Sequence, residues 1–169
     1  LYNWKNNLLI PVFKKYNIDI NINNEHLFES IYKNDIDTLK YLIKNKKELI
    51  HQVDNNGDSI LHVATLLNYE KICTYLLDHN IGTEIKNKSG NYAVDYAILN
   101  NNPDILTIFK QYNIKFFGNA DKLKFYTNEF FDAAETNHLE IVNFYIKYGF
   151  NINCCNYSNQ NALHIAVIN

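Results

Sequence analysis

The residues of this 169-residue chain best placed to do chemistry are a run of oxygen donors and a few thiols and imidazoles. In "QVDNNGDSILHVA", Gln52, Asp54, Asn56 and Asp58 alternate around Gly57. A calcium loop has this look: oxygen ligands at fixed places around one Gly, closed by a bidentate Glu at the twelfth position. With Gly57 in sixth place, the twelfth residue is Val63, which has no oxygen to offer. The first ligand would be an amide, so the set carries too little charge to dehydrate the ion. The stretch reads as a turn, and no metal is expected.

A nucleophile would need Cys or Ser beside a base. Cys73 falls on an apolar helical stripe and reads as a small core hydrophobe. Cys154 and Cys155 lie ten and nine positions before His164, where a thiolate–imidazole pair is the alternative to a plain loop. His26, His51, His79 and His138 fit helix or loop positions without the spacing of metal ligands. Glu135 and Glu140, and Asp35 and Asp37, sit at expected helix ends as solvated charges. There is no glycine-rich phosphate loop. The residues form no catalytic constellation, and neither a cofactor nor a small-molecule substrate is expected; the chain reads as a non-enzyme.

Composition narrows the class further. The hydrophobic share of 47% allows a core, and the formal charge is −2. All sixteen basic residues are Lys, so no Arg is present to fork onto phosphate or guanine, and no nucleic-acid partner is expected. Apolar runs such as "NLLIPVF" are far below membrane-spanning length, and no signal-peptide pattern is present, so no membrane contact is expected. Three Cys, two of them adjacent and without C-x-x-C, argue against a disulfide framework or zinc site and for an intracellular, cytoplasmic setting. With no Met present, the chain is expected to be a segment or a processed product. Asn makes up about one residue in six, set between regularly spaced apolar residues.

These residues must be positioned by something, and self-similarity shows what. "ILHVATLLNYEKICTYLLDHNI" from Ile60 superposes without a gap on "AVDYAILNNNPDILTIFKQYNI" from Ala93, a shift of 33 residues. His62 falls on Asp95, Ala64 on Ala97, Ile72 on Ile105 and Asn80 on Asn113. "EFFDAAETNHLEIVNFYIKYGFNIN" follows with Phe131 in the His62 place, after a three-residue insertion around "FGNA", and "NALHIAVIN" repeats the pattern with His164. "HLFESIYKNDIDTLKYLI" fits earlier, with Phe28, and "VFKKYNI" at the start copies "IFKQYNI". The units are 1–21 (partial), 22–54, 55–87, 88–120, 121–155 and 156–169 (the start of another).

Each unit reads as a short helix, a turn, a second helix and an extended loop. In the second full unit the helices are expected near Ile60–Asn68 and Glu70–Asn80, with Ile72, Cys73, Leu76 and Leu77 as an apolar stripe. Asn34, Asn68, Asn101 and Asn137 stand at the turns between helices, and Asn17, Asn80, Asn113 and Gly149 at the ends of second helices. Those places favour residues that tolerate the left-handed region. Pro103 falls just inside a second helix, where its missing N–H costs nothing.

"GDSILHVA", "GNYAVDYA" and "NQNALHIA", followed by a turn, paired branched aliphatics and "IKYGFNIN", resemble the ankyrin repeat. The resemblance covers nearly the whole chain. It departs from the family where Thr-Pro is replaced by Ser59–Ile60, Tyr92–Ala93 and Asn161–Ala162, and where the signature His is Phe28, Asp95 or Phe131. Those three corners are expected to be less regular. The family implies an all-α ankyrin-repeat solenoid of stacked helix pairs joined by β-hairpin-like loops, with Asp54 to Asp58 at a hairpin tip and His62 and His164 as inward-facing structural histidines.

The resemblance also implies where a partner would sit: on the hairpin tips and the exposed face of the first helices. Carried over by position, that surface is Asn55, Asn56 and Asp58 with Leu66 and Leu67, then Lys88, Ser89 and Asn91 with Leu99 and Asn100. It continues through Lys124, Phe125 and Thr127 with Glu135 and Thr136, to Tyr157, Ser158 and Gln160. Leu66, Leu67, Leu99, Phe125 and Tyr157 stand out as apolar or aromatic, the composition of binding hot spots, unless they pack on adjoining units. The insertion at 116–120 either reshapes that groove or lengthens a hairpin. The expected function is a non-catalytic scaffold that binds another protein. The alternative is the recruiting arm of a larger enzyme, a ubiquitin-ligase adaptor or an acyltransferase, with its catalytic part outside this segment.

Overall fold

The computed structural model describes residue 15 and residues 24–100, 102–117, 122–156, 158–161 and 164–165. Eight α-helices are present among them, in four antiparallel pairs: α1 (Asn24–Tyr32) with α2 (Ile36–Asn45), α3 (Ile60–Leu66) with α4 (Glu70–Asp78), α5 (Ala93–Leu99) with α6 (Pro103–Gln111), and α7 (Leu123–Glu135) with α8 (Leu139–Lys147). A short 3₁₀ helix, Lys47–His51, follows α2. The paired helices that the repeat predicted are there, and α3 and α4 each stop about two residues before the expected Asn.

The stops follow from those asparagines. Asn34, Asn68 and Asn137 make the turns between paired helices with φ of 53°, 59° and 57°. Asn80, Asn113 and Gly149 end second helices with φ of 54°, 57° and 84°. Among residues with a Cβ, Asn reaches this region at least cost. Asn17 and Asn101, expected to do the same, lie outside the described residues. The starts are chemical too. Asp35 caps α2 by accepting from the Thr38 N–H at 3.0 Å, and Asn102 caps α6 by accepting from Asp104 and Ile105, both at 3.0 Å. Pro103 occupies the first turn of α6.

A helix of seven to ten residues is not stable in water alone; here each buries a stripe against its neighbours. In α4 the buried residues are Ile72, Cys73, Leu76 and Leu77, and in α6 they are Ile105, Leu106 and Phe109. The first helices stack in the order α1, α3, α5, and α4 stacks on α6. Squeezed between α1 and α5, helix α3 is buried from Ile60 through Thr65. Full burial of one Leu or Ile contributes about 1.5–3 kcal/mol, and the core runs unbroken from Leu27 to Phe150. The stacking supplies the stability that no single unit has.

The loops between units end in tips of one design. Asp54 Oδ1 accepts from the N–H groups of Asn56 and Asp58 at 2.7 and 2.9 Å. Asn87 Oδ1 does the same for Ser89 and Asn91, and Asn156 Oδ1 for Ser158 and Gln160, all at 2.9 Å. Each tip closes with a backbone bond of 2.9 Å: Asp54 N to Asp58 O, Asn87 N to Asn91 O, Asn156 N to Gln160 O. Each also holds one left-handed residue: Gly57, Gly90 or Asn159.

The fourth unit breaks this design, which corrects the expectation of a hairpin at Lys124, Phe125 and Thr127. In the repeat register Leu123 stands where Asp54, Asn87 and Asn156 stand, and Tyr126 where Gly57, Gly90 and Asn159 stand. Leu has no oxygen to gather two N–H groups, and Tyr resists the left-handed conformation. The segment is helical instead: α7 runs 13 residues, with Lys124, Phe125 and Thr127 in its first turns. The close backbone packing within the α1–α3–α5 and α4–α6 stacks does not extend to α7 and α8. Aromatic rings fill that joint, where Phe117 lies 5.2 Å from Tyr126, 5.2 Å from Tyr145 and 5.1 Å from Phe150 by ring centroid. Phe116 and Phe117 thus turn the front of the insertion into packing; residues 118–120 lie outside the described residues.

The tips predict a contrast between two glycines. A Cβ on Gly57 would stand 2.9 Å from the Lys88 nitrogen, which donates to Asn56 O at 3.0 Å, whereas a Cβ on Gly90 meets nothing within 4 Å. Both replacements carry the left-handed penalty of about 1–2 kcal/mol. Gly57→Ala adds a backbone clash that Gly90→Ala does not, so urea denaturation should show it as clearly the more damaging. Equal losses would mean that the tips are not tied to one another.

Candidate partner-binding surface

The surface is built from the tips and from the ends of the first helices. Asn55, Asn56, Lys88, Ser89 and Ser158 are exposed, and Gln160 is half-buried. Two tips are fixed in register: Lys88 N–H donates to Asn56 O at 3.0 Å, and Lys88 Nζ to Asn55 O at 2.7 Å. Asp58 and Asn91, expected on this surface, are instead buried at 5% and 6% exposure. The Asp58 carboxylate accepts from Asn87 Nδ2 at 2.7 Å and from the Tyr96 hydroxyl at 3.2 Å. Asn91 spends its carbonyl on His62 Nε2 at 2.9 Å. Both residues tie one unit to the next and are not available to a partner. Asp58 thus serves the contact between units, while Asp54 Oδ1 gathers the N–H groups of its own tip, so the run is built as a turn.

Leu66 and Leu99, at the ends of α3 and α5, are 45% and 44% exposed, and Leu67 is half-buried against the core. Asn100 is exposed and donates from Nδ2 to Leu66 O at 3.4 Å, holding the two helix ends together. Tyr32 ends α1 at the same register position with 55% exposure, a residue that sequence reasoning passed over. The repeat spacing carried the signal: Tyr32 precedes Leu66 by 34 positions, as Phe28 precedes His62. Glu135 and Thr136 continue this position as exposed polar residues, with Thr136 Oγ1 donating to Asp132 O at 2.6 Å. Phe125, 40% exposed, and Lys124 lie on α7, while Thr127 is half-buried with its hydroxyl on Leu123 O at 2.8 Å. Tyr157 lies outside the described residues.

The histidine corners explain how the units hold register. His62 is fully buried. Its Nδ1 accepts from the Ser59 N–H at 3.2 Å and lies 2.8 Å from Ser59 Oγ. Nε2 therefore carries the proton and donates to Asn91 O in the next unit. Burial lowers the imidazole pKa below its ordinary value, against smaller raising effects from the Asn91 carbonyl and from Asp58, Asp95 and Asp54. At the next corner Asp95 repeats the arrangement with polarity reversed. Its Oδ2 accepts from Tyr92 N–H at 2.7 Å, and its Oδ1 accepts from the Tyr126 hydroxyl on α7. The Asp95 corner, expected to be irregular, keeps both bonds because Tyr126 brings a donor to a place where His62 finds a carbonyl. Burial raises the Tyr126 pKa, and the bond and charge of Asp95 raise it further, so the hydroxyl keeps its proton. His164 keeps the local contacts of this corner, with Nδ1 3.3 Å from Asn161 N and 2.7 Å from Asn161 Oδ1, but is exposed rather than inward-facing.

The thiols are placed unequally. Cys73 is fully buried, 3.8 Å from Thr65 Oγ1, and burial pushes its pKa up to about 12. Cys154 is half-buried, and burial raises its pKa as well, while Cys155 is exposed. His164, the base considered for Cys154 and Cys155, has its Nδ1 turned to Asn161.

Four helix pairs in series, three of them closely stacked, with tips of repeating design, define the class as a helical-repeat solenoid. A family model described as ankyrin repeats in three copies matches residues 6–87 and 27–117, and one described as ankyrin repeats in many copies matches 130–169. The chain belongs to the ankyrin-repeat family. An ankyrin repeat protein of fowlpox virus is 31% identical over 145 residues, covering 83% of this chain and 18% of that protein. Ankyrin repeat domain-containing protein 13C of Xenopus tropicalis is 37% identical over 62 residues, 37% of this chain and 12% of its own length. The chain thus spans less than a fifth of either relative. One chain of the solved complex between a predatory endopeptidase of Bdellovibrio bacteriovorus and its immunity protein superposes with a TM-score of 0.59 at 20% identity. That match covers 85% of this chain and 91% of the other, and shows likeness of fold alone. Ankyrin repeats generally mediate protein–protein interaction, and proteins built from them are typically non-catalytic binding scaffolds. Among the described residues no helix is long and apolar enough to cross a membrane.

The His62 corner predicts a pH dependence. A lowered native pKa means that the unfolded chain takes up the proton first. The stabilisation is complete above the ordinary imidazole value of about 6.5 and is lost as the pH falls from there toward the native pKa. Urea midpoints measured between pH 7.5 and 5.5 should decline more steeply for the native sequence than for His62→Gln; parallel declines would remove His62 as the cause. In a thiol-reactivity assay with an aromatic disulfide at pH 8, Cys155 should react in the folded protein and Cys73 only after unfolding. Fast reaction of Cys73 in the folded state would show that its helix opens readily.

Proposed function

We propose that this chain is a non-catalytic scaffold that holds a protein partner against the tips around Asn55, Asn56, Lys88 and Ser89 and the neighbouring first-helix ends. The observation that carries the reading is the series Tyr32, Leu66 and Leu99. Three large apolar side chains at one register position stay 44–55% exposed in a fold that buries most others, beside tips already locked in place. Exposed apolar residues flanked by ordered polar groups mark interaction sites, and locked tips lose little entropy on binding. Phe125 on α7, the exposed Asn100, Lys124, Glu135, Thr136 and Ser158, and the half-buried Leu67, Thr127 and Gln160, extend the surface, and Tyr157 belongs to it by register. A solved structure of like fold occurs in a complex with another protein, which fits this reading. An intracellular, cytoplasmic setting belongs to this proposal, supported by the free thiols of Cys73, Cys154 and Cys155.

A second reading is favoured by one observation, the small share of each relative that the chain covers. In that reading the array is the recruiting arm of a longer enzyme, such as a ubiquitin-ligase adaptor or an acyltransferase. The two differ in what is attached to the surface and not in the surface itself.

The test is affinity capture from lysate of the source organism with quantitative mass spectrometry. The native chain is run beside a variant carrying Leu66→Lys, Leu99→Lys and Phe125→Ser, both first shown to be folded by circular dichroism. A protein retained by the native chain should be depleted about ten-fold or more by the variant, equal to about 1.4 kcal/mol of binding. Equal retention would remove these residues from the interface.

A further inference from the structure

A second surface lies at the C-terminal ends of α6 and α8, away from every residue assigned to the tips. There a groove of about 490 Å³ is lined by Lys110, Lys115 and Lys147, with no carboxylate among its described lining residues. Its other walls are Phe116 and Tyr148, whose rings lie 5.1 Å apart, and the left-handed turns at Asn113 and Gly149. Lys110 Nζ stands 5.9 Å from the Tyr148 ring centroid and Lys147 Nζ 5.4 Å, so two ammonium groups lie beside one aromatic ring. Three cations converge on one groove in a chain whose net charge is −2.

We infer that this groove is a docking site for an acidic peptide segment of a partner protein, with carboxylates on the three lysines and an apolar side chain on the Phe116–Tyr148 floor. Lysines at the last turns of α6 and α8 also complement the helix dipoles. That role accounts for Lys110 and Lys147 but not for Lys115, which follows the helix, nor for the aromatic floor. The chemistry of the walls selects the occupant. The turn N–H groups of Asn113 and Gly149 are spent on Lys110 O and Ile146 O, both at 3.1 Å, and the helix ends carry partial negative charge. A compact phosphate seated on the backbone would meet carbonyl dipoles and no free donor from these turns. A peptide with carboxylates at the rim and an apolar residue between them meets ammonium groups and rings instead. Nucleic acid is disfavoured by the absence of Arg.

The test is fluorescence anisotropy on the full chain with a short fluorescein-labelled peptide of alternating Glu and Leu. The expected result is saturable binding that weakens between 50 and 200 mM salt and falls at least about ten-fold in Lys110→Gln/Lys115→Gln/Lys147→Gln. Leu66→Lys/Leu99→Lys should leave it unchanged, which separates this site from the tip surface. Lys115→Gln alone, which touches no helix turn, should already weaken binding, so the inference stands or falls even if the triple variant does not fold. Equal binding of a Gln/Leu peptide would overturn it, as would unchanged binding by the lysine variants. It would also be overturned if the Glu/Leu peptide failed to bind while duplex DNA, inorganic phosphate or vesicles of anionic phospholipid did.

Discussion

Among the described residues, each loop tip of the repeating design depends on one side-chain oxygen that accepts two backbone N–H groups. Asp54, Asn87 and Asn156 supply it in turn, and each time the chain closes through one left-handed residue three positions on. The tip is rigid because its donors are spent internally, and rigid tips can lie in contact. Lys88 can therefore donate to Asn56, and buried Asp58 can receive Asn87 and Tyr96. Where the oxygen is missing, at Leu123, the backbone has no such closure and continues as helix.

A second constraint follows from the first. Units must meet in register, and a buried polar side chain reaching into the next unit ensures that they do. His62 donates to the Asn91 carbonyl, which the tip holds in position. Asp95 faces α7 rather than a tip, and its carboxylate is matched by the Tyr126 hydroxyl. The loss of the hairpin, the change from His to Asp and the arrival of Tyr126 form a single adaptation. A buried carboxylate without that donor would carry a large desolvation cost.

Much of the architecture was legible because it rests on local chemistry repeated at a fixed period. Asn at the turns, Pro103 at a helix start, Cys73 on a buried stripe and Gly57 at a tip each signal a conformation through a property of one residue. What escaped was decided between residues far apart in sequence. Asp58 and Asn91 look like tip residues, and only the position of the neighbouring unit shows that they are buried. Carry-over by register placed Lys124, Phe125 and Thr127 on a hairpin, although Leu123 and Tyr126 already lacked the chemistry that a hairpin needs. Tyr32 was passed over because the family's contact positions were carried only from the 55–87 unit onward. The groove at Lys110, Lys115 and Lys147 could not be read at all, since it needs the ends of α6 and α8 to be neighbours.

The joint before α7 changes the mechanics of the column. Earlier units are tied by directional bonds, Lys88 to Asn56 and His62 to Asn91, which break rather than slide when sheared. At the last helix pair hydroxyl bonds replace them, Tyr126 to Asp95 and Tyr148 to Pro103 O at 3.2 Å, set among rings that pack edge-on or stacked against Phe117. The column thus changes its fastening at one storey: backbone and imidazole bonds set the spacing of the earlier units, whereas Phe116 and Phe117 fill the step before the last helix pair with aromatic rings.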